Sequence, residues 1–446
     1  MRDTMLKNKR IPDDIVLYNA VSIDESNPAI MRIKDKCIDC GLCKTICEKR
    51  QKIKNICDGK ACVYCGQCLQ ACPVGAIVPK NDVDKFTNAL RLGKICIVYT
   101  APAVRVAIGD AFNMPKASFA QGKLITALRK LGFSYVLDVT IGADLTVVEE
   151  ATELVKRIKN NDVLPMFTSC CPSWVKYAEN FYPEVLPNLS TCKSPISMQG
   201  AIVKEYFCQK LNLNPNNIFT VAITPCTSKK YEVTRKELPG TDAVFTTLEL
   251  IELIQKNKID FKNLEDGEFD TLLGNGSGSG IIFGNTGGVT EAVVRTVYKI
   301  LTNGNIPDDL LQLNPVRGLD YVKELNLNIK GFQLKAAVVN QISSIIPLLH
   351  DINEGKCPYH FIEVMNCYGG CIGGGGQPKS LPNNEKEIKS KRMNALYKND
   401  NSKKIRLSHQ NPEIVKIYCD LLEEPLSKKA KDLLHTYYID SSNIGE

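Results

Sequence analysis

The chain has 446 residues, 19 cysteines and a formal net charge of +7. This length is enough for one large domain with a sizeable core plus one or two small ones, and it is too long for a small disulfide-stapled scaffold. The basic residues form no stripe with interleaved aromatic residues, and no apolar run approaches the roughly 20 residues of a membrane-spanning helix, so we expect neither a nucleic acid nor a membrane as partner.

Residues 1–29 are predicted to form an N-terminal extension ahead of the first motif. The first ten residues are followed by no apolar stretch and contain Asp3, which argues against a secretory signal or a transit peptide. The cysteines stand at metal-ligand spacings instead of forming a disulfide framework. We therefore expect a reducing compartment, the cytoplasm.

Residues 30–82 contain two cysteine runs, Cys37–Cys47 and Cys62–Cys72, with the same spacing C-x2-C-x2-C-x3-C. A cubane needs four thiolates, and in such duplicated runs the fourth cysteine ligates the cluster of the other run. We predict two 4Fe–4S clusters, one held by Cys37, Cys40, Cys43 and Cys72, and the other by Cys47, Cys62, Cys65 and Cys68. Zinc is the alternative for C-x2-C pairs, and eight ligands in two four-cysteine runs disfavour it. The unit resembles a bacterial two-cluster ferredoxin through which electrons enter, and Cys57 between the runs has no assigned role.

From about residue 93 the pattern alternates between strands and helices. Short apolar runs that end in loops predict buried strands at 94–100, 134–139, 219–223, 335–339 and 359–364. Helical periodicity is found at 124–131, 147–157 and 292–301. Strands that alternate with helices indicate α/β layers, so residues 83–446 are predicted to form one large α/β domain.

Three motifs in this domain place cysteines in Pro- and Gly-rich loops. They are Thr168–Trp174 with Cys170 and Cys171, Pro225–Glu232 with Cys226, and Glu363–Cys371 with Cys367 and Cys371. The last two follow predicted strands, and ligand sites commonly lie at the carboxyl ends of strands in α/β sheets. The thiolates of the three motifs are sufficient to hold an iron–sulfur cubane.

In their residues and their order along the chain these motifs resemble the signatures of FeFe-hydrogenases, and the resemblance covers about residues 30–437. Such enzymes interconvert dihydrogen with protons and electrons at an H-cluster, a 4Fe–4S cubane bridged to a diiron unit with CO, cyanide and azadithiolate ligands. The resemblance implies a two-lobed α/β domain with the active site between the lobes. It also implies that the cubane ligands are Cys171, Cys226, Cys367 and Cys371, the last of which bridges to the diiron unit.

Cys170 is the candidate proton relay. It stands next to Cys171, and two adjacent cysteines cannot easily both face one cubane. A thiol whose pKa is roughly 8.5 exchanges protons near neutral pH. The resemblance implies that protons pass between Cys170 and the dithiolate amine, and then along Glu150, Ser190 and Glu153 to solvent. The alternatives are a packing cysteine and, for the two glutamates, a solvated helix face.

Lys229 and Glu232 follow Cys226 closely in the chain. An ammonium donates hydrogen bonds and can hold a cyanide ligand of the diiron unit, with Glu232 as its neighbour. The alternative is a surface lysine, a role that Lys230 can fill. The resemblance also implies a lining of the cofactor pocket that excludes water and dioxygen. Its residues are Pro102, Ala103, Pro195, Thr224, Phe283, Gly284 and Met365.

The chain departs from the commonest pattern of this family at Thr224, Ile196–Ser197, Asn366 and Tyr368, where Met, two Gln, Ala and His are usual. All of the implied cluster ligands are retained. Each change alters polarity or hydrogen bonding close to the clusters, so we expect it to tune their potential.

Three other functions compete with catalysis. Hydrogenase-like iron–sulfur assembly proteins hold no diiron unit and need none of Cys170, Lys229 and Glu232. A hydrogen sensor would bring a signalling domain, and a plain electron-transfer protein would not need roughly 350 residues beyond the ferredoxin-like unit. We therefore expect a catalytic hydrogenase. Its partners would be hydrogen and protons, a ferredoxin as electron carrier, and the maturation enzymes that build the diiron unit.

Overall fold

The computed structural model describes residues 20–53, 61–380 and 383–442. Cys57 and most of the predicted N-terminal extension lie outside these ranges. The strands are β1 Ile30–Arg32, β2 Ile77–Pro79, β3 Ile95–Thr100, β4 Tyr135–Asp138, β5 Met166–Phe167, β6 Ile218–Thr224, β7 Ala243–Thr246, β8 Val322–Ile329, β9 Phe332–Asn340 and β10 Phe361–Met365. The helices are α1 Leu42–Arg50, α2 Gln67–Ala71, α3 Val83–Arg91, α4 Pro102–Arg105, α5 Gln121–Lys130, α6 Thr140–Asn160, α7 Pro172–Phe181, α8 Pro195–Ile202, α9 Cys208–Lys210, α10 Lys229–Glu232, α11 Thr247–Lys256, α12 Gly278–Ile282, α13 Gly288–Thr302, α14 Ile346–Asn353, α15 Glu385–Ser402, α16 Pro412–Ile417 and α17 Lys428–Leu434.

The large domain contains two four-stranded sheets. The first has the strand order β4-β3-β6-β7 and is entirely parallel. The second has the order β5-β10-β9-β8, in which only β8 runs antiparallel to its neighbour. Parallel strands are covered on both faces, which explains why β3 and β10 are continuous buried runs instead of alternating ones.

Helix α6 joins the cores of the two sheets. On one side Ile141 and Leu145 pack in the same core cluster as the first-sheet residue Leu137. On the other side Val147 and Leu154 pack in a cluster with residues of the second sheet. Because its apolar residues cover more than one face, the helix is buried along most of its 21 residues.

The two N-terminal cysteine runs lie between β1 and β2, which pair antiparallel. This unit packs directly on the Gly-rich segment after Cys371. Gln70 Nε2 donates hydrogen bonds to the carbonyls of Gly375 and Gln377, at 3.0 and 2.7 Å. A Cβ on Gly375 would lie 2.3 Å from the carbonyl oxygen of Cys65, so only glycine allows this approach of the two backbones.

The α/β class and the presence of two small sheets are confirmed. The strands and helices predicted from the sequence are found, with boundaries that differ by a few residues. The β8–β9 hairpin was not predicted, because β8 alternates buried and exposed residues at the sheet edge and has no continuous apolar run. The boundaries at residues 29 and 82 stay predictions. Among the described residues, no helix combines the length and apolar character needed to cross a membrane.

Close packing of α6 on α8 gives the first testable prediction. A Cβ on Gly142 would lie 2.1 Å from the carbonyl oxygen of Pro195. Gly142→Ala should therefore lower the thermal unfolding midpoint, since overpacking typically costs roughly 1–3 kcal/mol. The control is Gly304→Ala, where the nearest atom is 3.3 Å from the added Cβ. Anaerobic circular dichroism melts compare the variants, and equal midpoints would contradict this account of the contact.

Candidate functional site

The motif cysteines lie at the carboxyl ends of strands from both sheets. Cys226 follows β6 of the first sheet by two residues. Cys367 follows β10 of the second sheet by two residues, and Cys171 comes four residues after β5 in the same sheet. Cys371 begins a short 3-10 turn after Cys367. The site therefore lies between the two sheets.

Four thiols converge at this place. Burial and, next, the neighbouring Cys171 thiol together raise the pKa of Cys226 to about 12. The pKa of Cys371 is likewise raised to about 12, by burial and then by Cys226 and Cys171. Burial together with all three of these cysteines raises the pKa of Cys367. Neighbouring thiols that oppose one another's ionisation need a cation among them before they can all be thiolates.

The donor set fits an iron–sulfur cubane. None of the described cysteines forms a disulfide, so all four thiols are free to bind a metal cluster. The loop between Cys367 and Cys371 turns through Gly369 and Gly370, whose φ angles are +83° and +86°. A Cβ on Gly370 would lie 2.6 Å from the backbone nitrogen of Thr286, so this turn requires glycine.

Lys229 lies beside Cys170, and the buried carboxylate of Glu232 holds it in place. Its Nζ donates to the carbonyl of Cys170 at 3.0 Å and forms an ion pair with Glu232 at 2.5 Å. Glu232 also accepts hydrogen bonds from Ser194 and, at 2.9 Å, from Ser197. Burial opposes the charge on Lys229, but Glu232 together with Cys226 and Cys170 outweighs burial and raises the pKa of the ammonium. A fixed cation therefore lies next to the four-thiol site.

Several of the predicted lining residues meet at this place. Phe283 and Met365 pack in one buried cluster with Cys170, and Cys171 and Cys371 border that cluster. Ala103 packs in a second cluster that Cys371 also borders, and a Cβ on Gly284 would lie 3.5 Å from the Cβ of Ala103. Pro102 and Pro195 each begin the helix that contains them, α4 and α8. Thr224 ends β6, and its Oγ1 accepts the backbone N–H of Cys226 at 3.3 Å.

Two of the predicted proton-route residues, Glu150 and Glu153, lie on α6, and Ser190 contacts that helix from another segment. Glu150 is buried and is an electrostatic neighbour of Cys170. Neither oxygen of Glu150 has a hydrogen-bond partner among the described residues. Burial, and then Glu153, raise the pKa of Glu150 well above its usual range. Ser190 lies near both carboxylates, and its Oγ donates to Glu153 Oε2 at 2.9 Å.

The motif comparison missed Arg157, which completes this row of polar groups. Its guanidinium pairs with Glu153 at 2.7 Å and donates to the carbonyl of Leu189 at 2.8 Å. The signal was available, because Glu153 and Arg157 are four residues apart on a predicted helix. A lone ion pair at this spacing is common on helix surfaces, so no feature of the sequence distinguished this pair from a surface pair.

The N-terminal cysteines form two groups that follow the crossed assignment. Cys37, Cys40, Cys43 and Cys72 line one small cavity. In the second group, burial and then Cys65 and Cys62 raise the pKa of Cys47. Burial and then Cys47 and Cys62 likewise raise the pKa of Cys68. The fourth cysteine of each run thus lies with the other run, although Cys43 lies near enough to influence both Cys47 and Cys68.

The second group adjoins the four-thiol site. Cys65 is among the thiols that raise the pKa of Cys367. Gln67 Nε2 donates to Cys367 Sγ and to the carbonyl of Gly373, both at 3.3 Å. Sequence reasoning missed Gln67, because it lies within one motif and contacts another that is 300 residues away. Cys40, in the first group, is exposed, so the three cysteine sites form a row from the surface to the centre.

Comparison with known proteins identifies the family. The family described as "Iron only hydrogenase large subunit, C-terminal domain" matches residues 94–375, and "Iron hydrogenase small subunit" matches 386–441. A "4Fe-4S binding domain" matches 58–78. The chain belongs to the iron-only hydrogenases. It is an FeFe-hydrogenase that interconverts protons, electrons and H2, and its cofactors are 4Fe–4S clusters and an H-cluster.

Individual relatives agree with this membership. The hydrogenase is 42% identical to Iron hydrogenase 1 of Clostridium pasteurianum, with 96% of this chain and 78% of that protein aligned. Its fold is similar to that of a variant of the FeFe-hydrogenase HydA1 from Chlamydomonas reinhardtii. That structure has a TM-score of 0.71 at 36% identity and covers 80% of this chain and 98% of its own.

The iron–sulfur assembly proteins are more distant relatives. The cytosolic Fe-S cluster assembly factor narfl of Xenopus tropicalis is 29% identical, with 86% of this chain and 84% of that protein aligned. In this hydrogenase Cys170, Lys229 and Glu232 are buried together beside the four thiols, an arrangement that a cubane alone does not require. The higher identity to the hydrogenases and this buried arrangement therefore both favour catalysis over cluster assembly.

Removing the Lys229 ammonium beside Cys170 tests whether this residue is needed to load the diiron unit. Lys229→Ala should leave the cubanes in place and reduce loading of the diiron unit, because a buried charged donor is lost. Lys230→Ala is the matched control, since Lys230 Nζ pairs with Asp82 and Glu249 at 3.2 and 2.9 Å instead. Iron content and infrared bands of CO and cyanide measure the loading. A full diiron complement in Lys229→Ala would show that the lysine does not hold the unit.

Proposed function

We propose that this hydrogenase holds its H-cluster between the two sheets through Cys171, Cys226, Cys367 and Cys371. Cys371 would also bridge to the diiron unit. The observation that carries this proposal is the convergence of these four thiols from loops of both sheets, with Cys170 and Lys229 beside them. When bound, the diiron unit supplies the metal at which hydrogen is formed or split. The eight N-terminal cysteines would hold two 4Fe–4S clusters in the crossed arrangement.

Cys170 is the residue that exchanges protons with the reacting centre. It precedes the proposed ligand Cys171, is buried, and is bordered by Glu150 on one side and Lys229 on the other. A proton on Cys170 Sγ passes to Glu150, whose oxygens have no hydrogen-bond partner within residues 20–53, 61–380 and 383–442 and are available to accept and release one. Ser190 then donates to Glu153, whose carboxylate is the last acceptor named in this route and is held in place by Arg157.

The remaining pocket residues hold the ligands of the diiron unit in position and exclude water. Lys229 provides a donor for a cyanide ligand, and Glu232 with its two serine partners keeps that ammonium in one place. Phe283, Met365 and Ala103 give an apolar lining that keeps bulk water from the site. Protons therefore reach the centre along the side chains behind Cys170 and not by random solvent entry.

Electrons enter at the surface around Cys40. This cysteine is exposed, and the neighbouring Ile38 and Leu42 are 62% and 45% exposed. Lys34 and Lys36, on a short turn ahead of the cysteine run, are also exposed. A partly apolar surface with lysines at its edge suits a small acidic electron carrier such as a ferredoxin. Cys65 and Gln67 then provide the contact to Cys367.

Two further assignments complete the proposed function. The enzyme needs maturation partners, because nothing in the four-thiol site itself supplies CO or cyanide. Its proposed compartment is the cytoplasm, because the cysteines of the described residues are free thiols and form no disulfide framework. Recovery of the active enzyme from a periplasmic fraction would contradict that location.

Cys170→Ala and Cys171→Ala separate proton transfer from cluster binding. Cys170→Ala should hold all its iron and keep the CO and cyanide bands, while turnover falls by the roughly 10²–10⁴-fold typical of losing a general acid/base. Cys170→Asp should recover part of the rate, because a carboxyl group also exchanges protons. Cys171→Ala should instead lose the cubane and the diiron unit with it.

Metal analysis, infrared spectra and hydrogen evolution with a chemical reductant are measured on the same samples. Loss of iron in Cys170→Ala with retention in Cys171→Ala would reverse the two roles. Normal turnover in Cys170→Ala would remove the thiol from the mechanism.

Charge reversal tests the electron-entry surface. The double variant Lys34→Glu and Lys36→Glu should raise KM for a ferredoxin by roughly tenfold at low ionic strength, because surface charge steers association. Turnover with a small viologen dye should stay unchanged. Lys429→Glu, an exposed change on α17, is the control. An unchanged KM for ferredoxin in the double variant would place docking elsewhere.

A further inference from the structure

The segment after α17 runs beside the outer end of the proposed proton route. The backbone N–H of Thr436 donates to the carbonyl of Thr191 at 2.8 Å, and that of Lys193 donates to the carbonyl of Leu434 at 2.8 Å. Cys192 and His435 form an antiparallel bridge between the two segments. This pairing fixes the position of His435 next to Glu153.

Glu153, Cys192 and His435 bring three different metal-binding atoms together. A carboxylate oxygen, the thiol sulfur and a ring nitrogen all lie within 4.8 Å of one another. Cys192 is 1% exposed and Glu153 is 7% exposed, so this is a buried cluster and not a chance surface grouping. A tetrahedral zinc ion with bonds of about 2.0–2.3 Å would hold such atoms roughly 3.3–3.8 Å apart, so a small inward shift completes the site.

The charge around the three atoms also favours a dication. Glu149 and Glu153 lie close to Cys192, and Arg157 is the cation paired with Glu153. The buried Glu150 has no hydrogen-bond partner for either oxygen among the described residues. Glu149 accepts from Tyr418 at 2.5 Å and lies 3.0 Å from His435 Nε2, which leaves it as a partner that orients the imidazole.

Solvent reaches this cluster on one side. Thr191 is exposed, and its Oγ1 lies 2.7 Å from His435 Nδ1. A hydrated ion can therefore approach from the surface at Thr191, lose part of its water and keep one water as the fourth ligand. The mixture of oxygen, sulfur and nitrogen donors suits zinc better than Mg²⁺ or Ca²⁺, which prefer oxygen ligands alone.

We propose that Glu153, Cys192 and His435 form a binding site for one transition dication of the Zn²⁺ type. Binding replaces the proton of the Cys192 thiol with a Zn–S bond, and that proton leaves to solvent. The ion also takes the carboxylate of Glu153 as a ligand. Because the proposed function sends protons through this carboxylate, an occupied site blocks hydrogen turnover, and this consequence rests on that function.

The experiment uses the matured enzyme, ZnCl2 and reduced methyl viologen as electron donor, under anaerobic conditions. Zinc content is measured after gel filtration, and zinc K-edge absorption gives the ligand set. Wild type should retain one zinc with one sulfur at about 2.3 Å and nitrogen or oxygen ligands at about 2.0–2.1 Å. Turnover should fall by roughly 10²-fold or more, as for loss of a proton-transfer group, and recover with EDTA.

Cys192→Ala removes the sulfur ligand and should abolish both zinc retention and inhibition, each compared with the same variant without zinc. Cys208→Ala is the matched control, because Cys208 is another buried cysteine and donates to the carbonyl of Val203. It should behave as wild type. Zinc that is retained by Cys192→Ala, or that shows two or more sulfur ligands, would overturn the site. Zinc bound as predicted without inhibition would instead support the site and contradict the route through Glu153.

Discussion

The placement of four thiols at the carboxyl ends of strands from two sheets is the constraint on which this structure depends. Buried thiols that raise one another's pKa gain nothing from proximity unless an iron cluster lies among them. Two cores that share α6 hold the loops in place from opposite sides. Pro- and Gly-rich turns, such as that at Gly370, then let the backbone come close enough.

In the proposed function, protons and electrons reach this centre from different directions. Of the polar groups on the proton side, Glu150, Glu153 and Arg157 lie on α6, and Ser190 donates to Glu153 from a neighbouring segment. The cysteine row from Cys40 to Cys65 lies on the side of Cys367, where the N-terminal unit packs on the Gly-rich segment. Because the two sets of residues are separate, a substitution can alter proton transfer without changing electron transfer, and the reverse. The buried Asn366 precedes Cys367 and lies near both Cys65 and Cys171, so it is placed to act on the iron–sulfur ligands.

The sequence predicted the fold class well because it depends on short-range patterns, whereas the grouping of Cys171, Cys226, Cys367 and Cys371 came from the family resemblance and stays a prediction. Apolar runs such as that of β3 reveal strands, and C-x2-C spacing reveals cluster ligands. Contacts between distant segments could not be predicted in this way. Gln67 meets Cys367 across 300 residues, and His435 meets Glu153 only because the segment after α17 pairs with residues near Cys192. Neither contact leaves a periodic signal in the chain.

The most direct test of the central claim is an iron-edge anomalous difference map from crystals of the anaerobically matured enzyme. The account predicts a four-iron cubane enclosed by Cys171, Cys226, Cys367 and Cys371. It also predicts further iron beyond Cys371, on the side of Cys170 and Lys229. Iron ligated by Cys170 in place of Cys171, or an absence of iron beyond Cys371 in active crystals, would contradict it.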